Sequence, residues 1–398
     1  MRRRAFFRML APVAAVHLRA LSQRRDAANG VTFDAAARAY RVQPGGSIQA
    51  ALEAAAKDPA NKTVYVHAGA YRPASHGQAL IWFNRRHDGI TLEAVGEVVL
   101  TAANPAIADQ KAPSFPAVVN HVVYFGDGIS TRTVLRGFRI TGANNYTTGT
   151  GERSPIESDA LRKTPFFYLD GGGIKIYADS YPTIEHVEVV GNYTSPCGAG
   201  VSVEHLGRPL DAAVFRNCIF RDNRTQVTGA AFDLLHGSRA ILDNCLFVGN
   251  VANLGVDYVG LMAGGEYHPE HGSGAMTVFE GSRAEVSRCT FTGNWAGVDD
   301  NGADSTYVKS IFWNNTLKGG ISAGARYEID ITRGGGVRES FIHGETNDLR
   351  GTINRNLNTF DPPDPRFDAQ FVPQAPEYAS VGYRPVSARS RSRSAAQA

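Results

Sequence analysis

Cys218-Ile-Phe-Arg-Asp-Asn223, Cys245-Leu-Phe-Val-Gly-Asn250 and Cys289-Thr-Phe-Thr-Gly-Asn294 are three copies of one six-residue phrase: a small residue, Phe two places later and Asn five places later. The same phrase recurs more loosely as Val187/Val189/Asn192 and Ser310/Phe312/Asn315, and it fades into Ser340/Ile342/Glu345. An earlier copy, Phe138/Ile140, has its Asn one place late at Asn144. Most of the intervals between copies suit one turn of a β-solenoid. Positions two apart on a strand point the same way, so the small residue and the Phe face inward. Stacked coil on coil at about 4.8 Å, they form files inside a cylinder. Asn suits the bend because it tolerates left-handed backbone angles. Its amide can also bond to its equivalent in the next coil.

Working outward, a glycine turn and an alternating strand precede each copy. Gly171–Gly173 leads into Ile174-Lys175-Ile176, Gly198–Gly200 into Val201-Ser202-Val203, Gly229–Ala231 into Phe232-Asp233-Leu234, and Gly272–Gly274 into Ala275–Val278. Two coils share Gly-Ser-Arg-Ala, at Gly237–Ala240 and Gly281–Ala284. Each coil therefore reads turn, strand, bend, strand, Asn bend.

With these phrases the sequence resembles the pectin-lyase-like superfamily of right-handed parallel β-helix proteins over roughly residues 40–380. Val42–Leu52 looks like that family's N-terminal capping helix, with Ser47 as N-cap and Ile48–Ala56 as body. Val64–Tyr71 looks like the first strand and turn. The resulting layout is an all-β chain: a basic leader over 1–30, an N-terminal cap over 31–62, a right-handed parallel β-helix over 63–346, a Pro-rich C-terminal cap over 347–386 and a Ser/Arg tail over 387–398. The C-terminal segment is expected to cover the open end, where bare strand edges invite pairing.

Three of the four cysteines share one file. Neighbours in a parallel stack stand too far apart for a disulfide, so Cys218, Cys245 and Cys289 read as packed thiols. Cys197, in a glycine turn, reads as exposed.

The net charge of +3 conceals an uneven distribution. Seven arginines lie in residues 1–25 and three more in the tail, which leaves 31 of the 41 basic residues against 38 acids in the body. An acidic body argues against nucleic acid as a partner. The leader pairs a basic start with the short apolar stretch Leu10–Val16, interrupted on either side by Arg8 and His17, and reads as a degenerate secretory signal. No stretch approaches the length of a membrane span. A monomer at the cell surface or outside the cell is the expected state.

The resemblance implies an extended polysaccharide bound along an outer strand face between loops. Between Asn250 and Gly272 lies a long interruption of the coil, rich in titratable and aromatic groups: Asp257, Tyr258, Glu266, Tyr267, His268, Glu270 and His271. Alternation sends Lys175, Ser202 and Asp233 outward in one file, with Glu204, His205 and His236 near the following bend. A lyase needs a base for the proton beside a uronate carboxylate, and Lys175, His236, His268 or His271 are candidates. Asp299, Asp300 and Asp304 are candidate calcium ligands. A glycosidase needs two carboxylates across the scissile bond, from Asp233, Glu266, Asp299 or Asp300. Tyr258 and Tyr267, with Glu204 and His205, are candidate sugar-binding groups. His236-Gly237 and Asp299-Asp300 resemble two polygalacturonase motifs, but in reversed order. The expected function is polysaccharide binding or cleavage, with β-elimination favoured; the alternatives are a non-catalytic adhesive β-helix, a glycoside hydrolase or an epimerase.

Overall fold

A computed structural model of the chain describes residues 29–147, 167, 169–194, 197–207, 209–255, 273–317, 327–348 and 353–386. The repeated phrases wind into a right-handed parallel β-helix. Its described strands form a nine-stranded sheet, from Gly77–Phe83 to Thr346–Asp348, an eighteen-stranded sheet bent into two faces, and a two-stranded pair of Tyr193–Thr194 with Arg224–Thr225. Parallel pairing begins at Ala39–Val42 against Thr63–Tyr71 and ends at Phe341–His343 against Thr359–Phe360.

The in-register stack puts like on like. Phe220, Phe247, Phe291 and Phe312 lie in one inward file with ring centroids 4.8, 4.6 and 5.0 Å apart. Cys218, Cys245 and Cys289 are all free and buried, and the Cys245 amide donates to the Cys289 sulfur at 3.4 Å. Below them Cys289 N donates to Ser310 Oγ, and Ser310 N to Ser340 Oγ. The small residue of the phrase thus accepts an N–H that the bend leaves without a strand partner.

The asparagines do the same at the next bend. Asn192, Asn223, Asn250, Asn294 and Asn315 form a buried ladder, each donating its side-chain amide to the Oδ1 of the next at 2.8–3.1 Å. None of the five has a positive φ. That conformation falls on the residue before each one, namely Gly191, Asp222, Gly249, Gly293 and Asn314. The asparagine is kept for its amide, and its neighbour makes the turn. Asn144 is outside the ladder: Ala143 N meets Asn192 Oδ1, while Asn144 turns out to the Phe115 carbonyl. The coil also has one strand more than expected. Its longer half breaks at a left-handed residue just before the small one, at His186, Asn217, Asn244, Arg288, Lys309 and Glu339.

The shared Gly-Ser-Arg-Ala motif is a third ladder of the same kind. His205 N donates to Ser238 Oγ, and Ser238 N to Ser282 Oγ. In the glycine turns, a Cβ on Gly200 would stand 2.4 Å from the Ala231 carbonyl oxygen and one on Gly274 2.3 Å from that of Asn250. Close approach of successive coils therefore demands glycine there.

Ser47 caps the helix Ile48–Ala56 by accepting from Ala50 N at 3.1 Å. Its buried face, Ile48, Ala51, Leu52 and Ala55, closes the first coil. At the far end, Thr359–Phe360 adds a last strand. Ile353 joins the core there and Asn358 bonds to Val337 O and Ser340 N, so this part covers the last coil, whereas the segment beyond Phe360 does something else. It turns back along the outside: Gly382 N donates to Lys309 O, Tyr383 N to Thr290 Oγ1 and Arg384 N to Asn244 Oδ1. Tyr378, Val381 and Ala375 bury the outward Ile311 beneath this strap.

Candidate functional site

The outer surfaces of the two sheets differ in kind. On the eighteen-stranded sheet the outward charges are half-exposed ion pairs, such as Arg136 between Glu93 and Glu185, and Arg221 with Glu188. Such pairs are solvated and contribute little. On the nine-stranded sheet the outward charges are buried. Its register sets Tyr124, Lys175, Ser202, Asp233, Thr277, Asp299 and Asp330 in one file, as alternation requires for Lys175, Ser202 and Asp233. Lys175, Ser202 and Asp233 are 0% exposed, Thr277 2%, Asp299 3% and Asp330 8%, so the whole file is buried and comes nearest to solvent at its C-terminal end. Desolvated ionisable groups in one file mark a candidate active surface.

At the closed end Lys175 is fully engaged. Its Nζ lies 2.8 and 3.0 Å from the two oxygens of Asp170, 2.9 Å from Glu204 Oε2 and 3.3 Å from Ser202 Oγ. Ser202 Oγ donates in turn to Asp170 Oδ2 at 2.8 Å. Burial opposes the charge on Lys175, but Asp170 and Glu204 outweigh it and hold the ammonium well above the ordinary lysine range. Burial pushes Asp170 upward against the pull of Lys175. A lysine so committed keeps its proton, which corrects its expected part as a base. Glu204 is likewise tied up as its counter-ion.

His205 is a structural residue rather than a sugar contact. It is buried, its Nδ1 accepts from Arg239 N at 3.2 Å and its Nε2 donates to Ser180 O at 2.9 Å. Burial lowers its pKa to about 4. His236 is exposed at the bend, edge-on to Phe279.

The three aspartates expected to hold calcium do not converge. Val298 stacks inward on Met276, so Asp299 faces out and Asp300 in. Inside the coil Asp300 accepts from Tyr307 Oη at 2.7 Å and from Gly302 N at 2.8 Å. Burial raises its pKa to about 6. Asp304 is exposed beyond the strand, in the left-handed conformation. The donors that do stand together are Asp299 and Asp330, directly paired on neighbouring coils, with Asn301 Nδ2 donating to Asp299 Oδ1 at 3.0 Å.

Asp233 is buried with no polar partner for its carboxyl besides the Cys197 thiol, and burial holds that carboxyl far above the usual range. Cys197, expected at the surface, is buried beside it. Glu266, His268, His271, Tyr258 and Tyr267 lie outside the described residues.

Asp170, Asp330 and the burial of Cys197 against the outer file were not read from sequence. Asp330 carried a signal: Ile329-Asp330-Ile331 alternates as Phe232-Asp233-Leu234 does. Asp170 carried only its place before Gly171.

No family model matches the chain, and no curated protein matches it. Among solved structures the chain is similar to one described as the crystal structure of pectate lyase Pel9A, at 13% identity over 77% of this chain and 73% of that one, with a TM-score of 0.43. No helix among the described residues is long and apolar enough to cross a membrane.

Proposed function

We propose that this is a carbohydrate-active β-helix protein, working as a monomer outside the cell or at its surface. Its substrate is an extended acidic polysaccharide that meets the outer file at the Asp299–Asp330 end. The observation that carries the reading is that file: polar groups, four of them ionisable, repeat once per coil on one sheet, and their slight exposure is greatest, at 8%, on Asp330. A repeating ligand suits a repeating surface. β-Elimination is the favoured reaction. Asp330, the more exposed of the pair, takes the proton beside the uronate carboxylate, that C–H electron pair forms the C4–C5 double bond, and the C4 oxygen departs with a proton from solvent. Asp299, oriented by Asn301, is the proposed ligand for calcium, whose charge when bound would offset that of the uronate. A second reading, retaining hydrolysis, is favoured by the same pairing, since adjacent coils set the two residues about 5 Å apart, as that mechanism requires.

Incubation of the full chain with pectate, alginate and glycosaminoglycan, with and without Ca²⁺, tests this. The ultraviolet absorbance of an unsaturated uronate is expected, and Asp330→Asn is expected to slow its appearance by about 10²–10⁴-fold. New reducing ends without unsaturation would replace elimination by hydrolysis. Binding without turnover of any polymer would leave the adhesive reading in its place.

A further inference from the structure

We propose that Asp170, Cys197 and Asp233 form a binding site for a zinc-class divalent ion at the closed end of the outer file. This goes beyond the carbohydrate reading and stands or falls separately from it. One ligand atom from each residue lies within 4.8 Å of the other two, and all three residues are buried. A tetrahedral zinc site holds its ligand atoms about 3.4–3.7 Å apart, from Zn–S of about 2.3 Å and Zn–O of about 2.0–2.2 Å. A modest inward movement of side chains completes the set.

The independent pointer to a ligand is Asp233. It is 0% exposed, it lies in this cluster, and the Cys197 thiol, itself one of the three proposed ligands, is the one group that interacts with its otherwise unpartnered carboxyl oxygens. A desolvated carboxyl left in that state is unfavourable unless something meets it. The other two donors are positioned. Asp170 is fixed from behind by Lys175 and Ser202, an orienting arrangement of the kind metal ligands need. Cys197 is fixed by its backbone bridge to Thr228 on the next coil.

The chemistry balances. Cys197 and Asp233 would meet the ion as thiolate and carboxylate, any protons they carry passing to solvent, so their two negative charges match the two positive charges the ion brings. That removes the usual electrostatic objection to placing a dication beside Lys175. The thiolate selects zinc or cobalt over calcium or magnesium. Three protein ligands leave a fourth position for water.

The test loads chelator-treated full-length protein with Co²⁺ alone. The expected result is one cobalt per chain with thiolate-to-cobalt charge-transfer absorption, and X-ray absorption showing a single sulfur among oxygen ligands. Cys197→Ser should abolish the absorption and Cys289→Ser should leave it. Asp233→Asn should weaken cobalt affinity by at least about tenfold. Absence of stoichiometric cobalt, cobalt bound without sulfur, or charge transfer that survives Cys197→Ser would each overturn the proposal. The sulfur count on the unsubstituted protein decides the matter should either variant fail to fold.

Discussion

Glu328 ends the asparagine ladder, and the last rung needs acceptors without donors. Asn315 presents two donors downward, its backbone N–H and its side-chain amide. Glu328 takes the first on Oε1 at 3.0 Å and the second on Oε2 at 2.5 Å. Burial raises its pKa from 4.5 to about 7, against the pull of Asn315. The folded state therefore binds the proton more tightly than the unfolded chain between those values, and this group's contribution to stability falls as pH rises through them. The gap corresponds to about 3 kcal/mol. Glu328→Gln should remove that fall, so the difference in denaturant stability between the variant and the original protein should drift by a few kcal/mol from pH 4.5 to 7.5. A constant difference would refute the assignment. Lys175 gives a second residue-scale expectation. Lys175→Met leaves Asp170 buried, and Glu204 partly buried, without their cation, and should cost about 3–5 kcal/mol in urea unfolding. Loss of activity at unchanged stability would instead return Lys175 to the role of base.

Among the elements, the asparagine ladder was legible in the sequence because its residue identity repeats with the coil. The residue that makes the turn was not, because Gly, Asp and Asn share the preceding position and no single type marks it. Asp299-Asp300 shows the other limit. Alternation dictates that two successive acids face opposite ways, but choosing which requires the register of Val298 on Met276. Cys197 was misread because a glycine turn is ordinarily exposed, whereas this one lies against the desolvated file. The ladder also sets a graded cost. Asn250 accepts from Asn223 N and Nδ2 and donates to Asn294 and Phe220 O, whereas Asn192 accepts only from Ala143 N. Asn250→Ala should destabilise by about 2–4 kcal/mol and by more than Asn192→Ala, as read from denaturant midpoints. Equal costs would mean that the ladder does not act rung on rung.

At the scale of the whole molecule, one inward pattern builds the tube and three outward ones divide its surface. Ion-pair ladders face water, the C-terminal strap covers the outward apolar residues near Ile311, and the buried file runs along the nine-stranded sheet. The tube could be read from periodic inward residues. The strap could not, since an irregular Pro-rich segment carries no register. Truncation after Pro362 uncovers Ile311, Phe341 and Thr290. It should lower the melting temperature and raise binding of a hydrophobic dye, while a chain unchanged in both would deny the strap its role. The claim on which the functional account turns is that the outer file receives the polymer at its C-terminal end. Diffraction from crystals soaked with an acidic oligosaccharide tests it most directly. Sugar rings lying across Asp299 and Asp330 along the helix axis are the expected result; an oligosaccharide seated on the ion-pair faces, away from that pair, would contradict it.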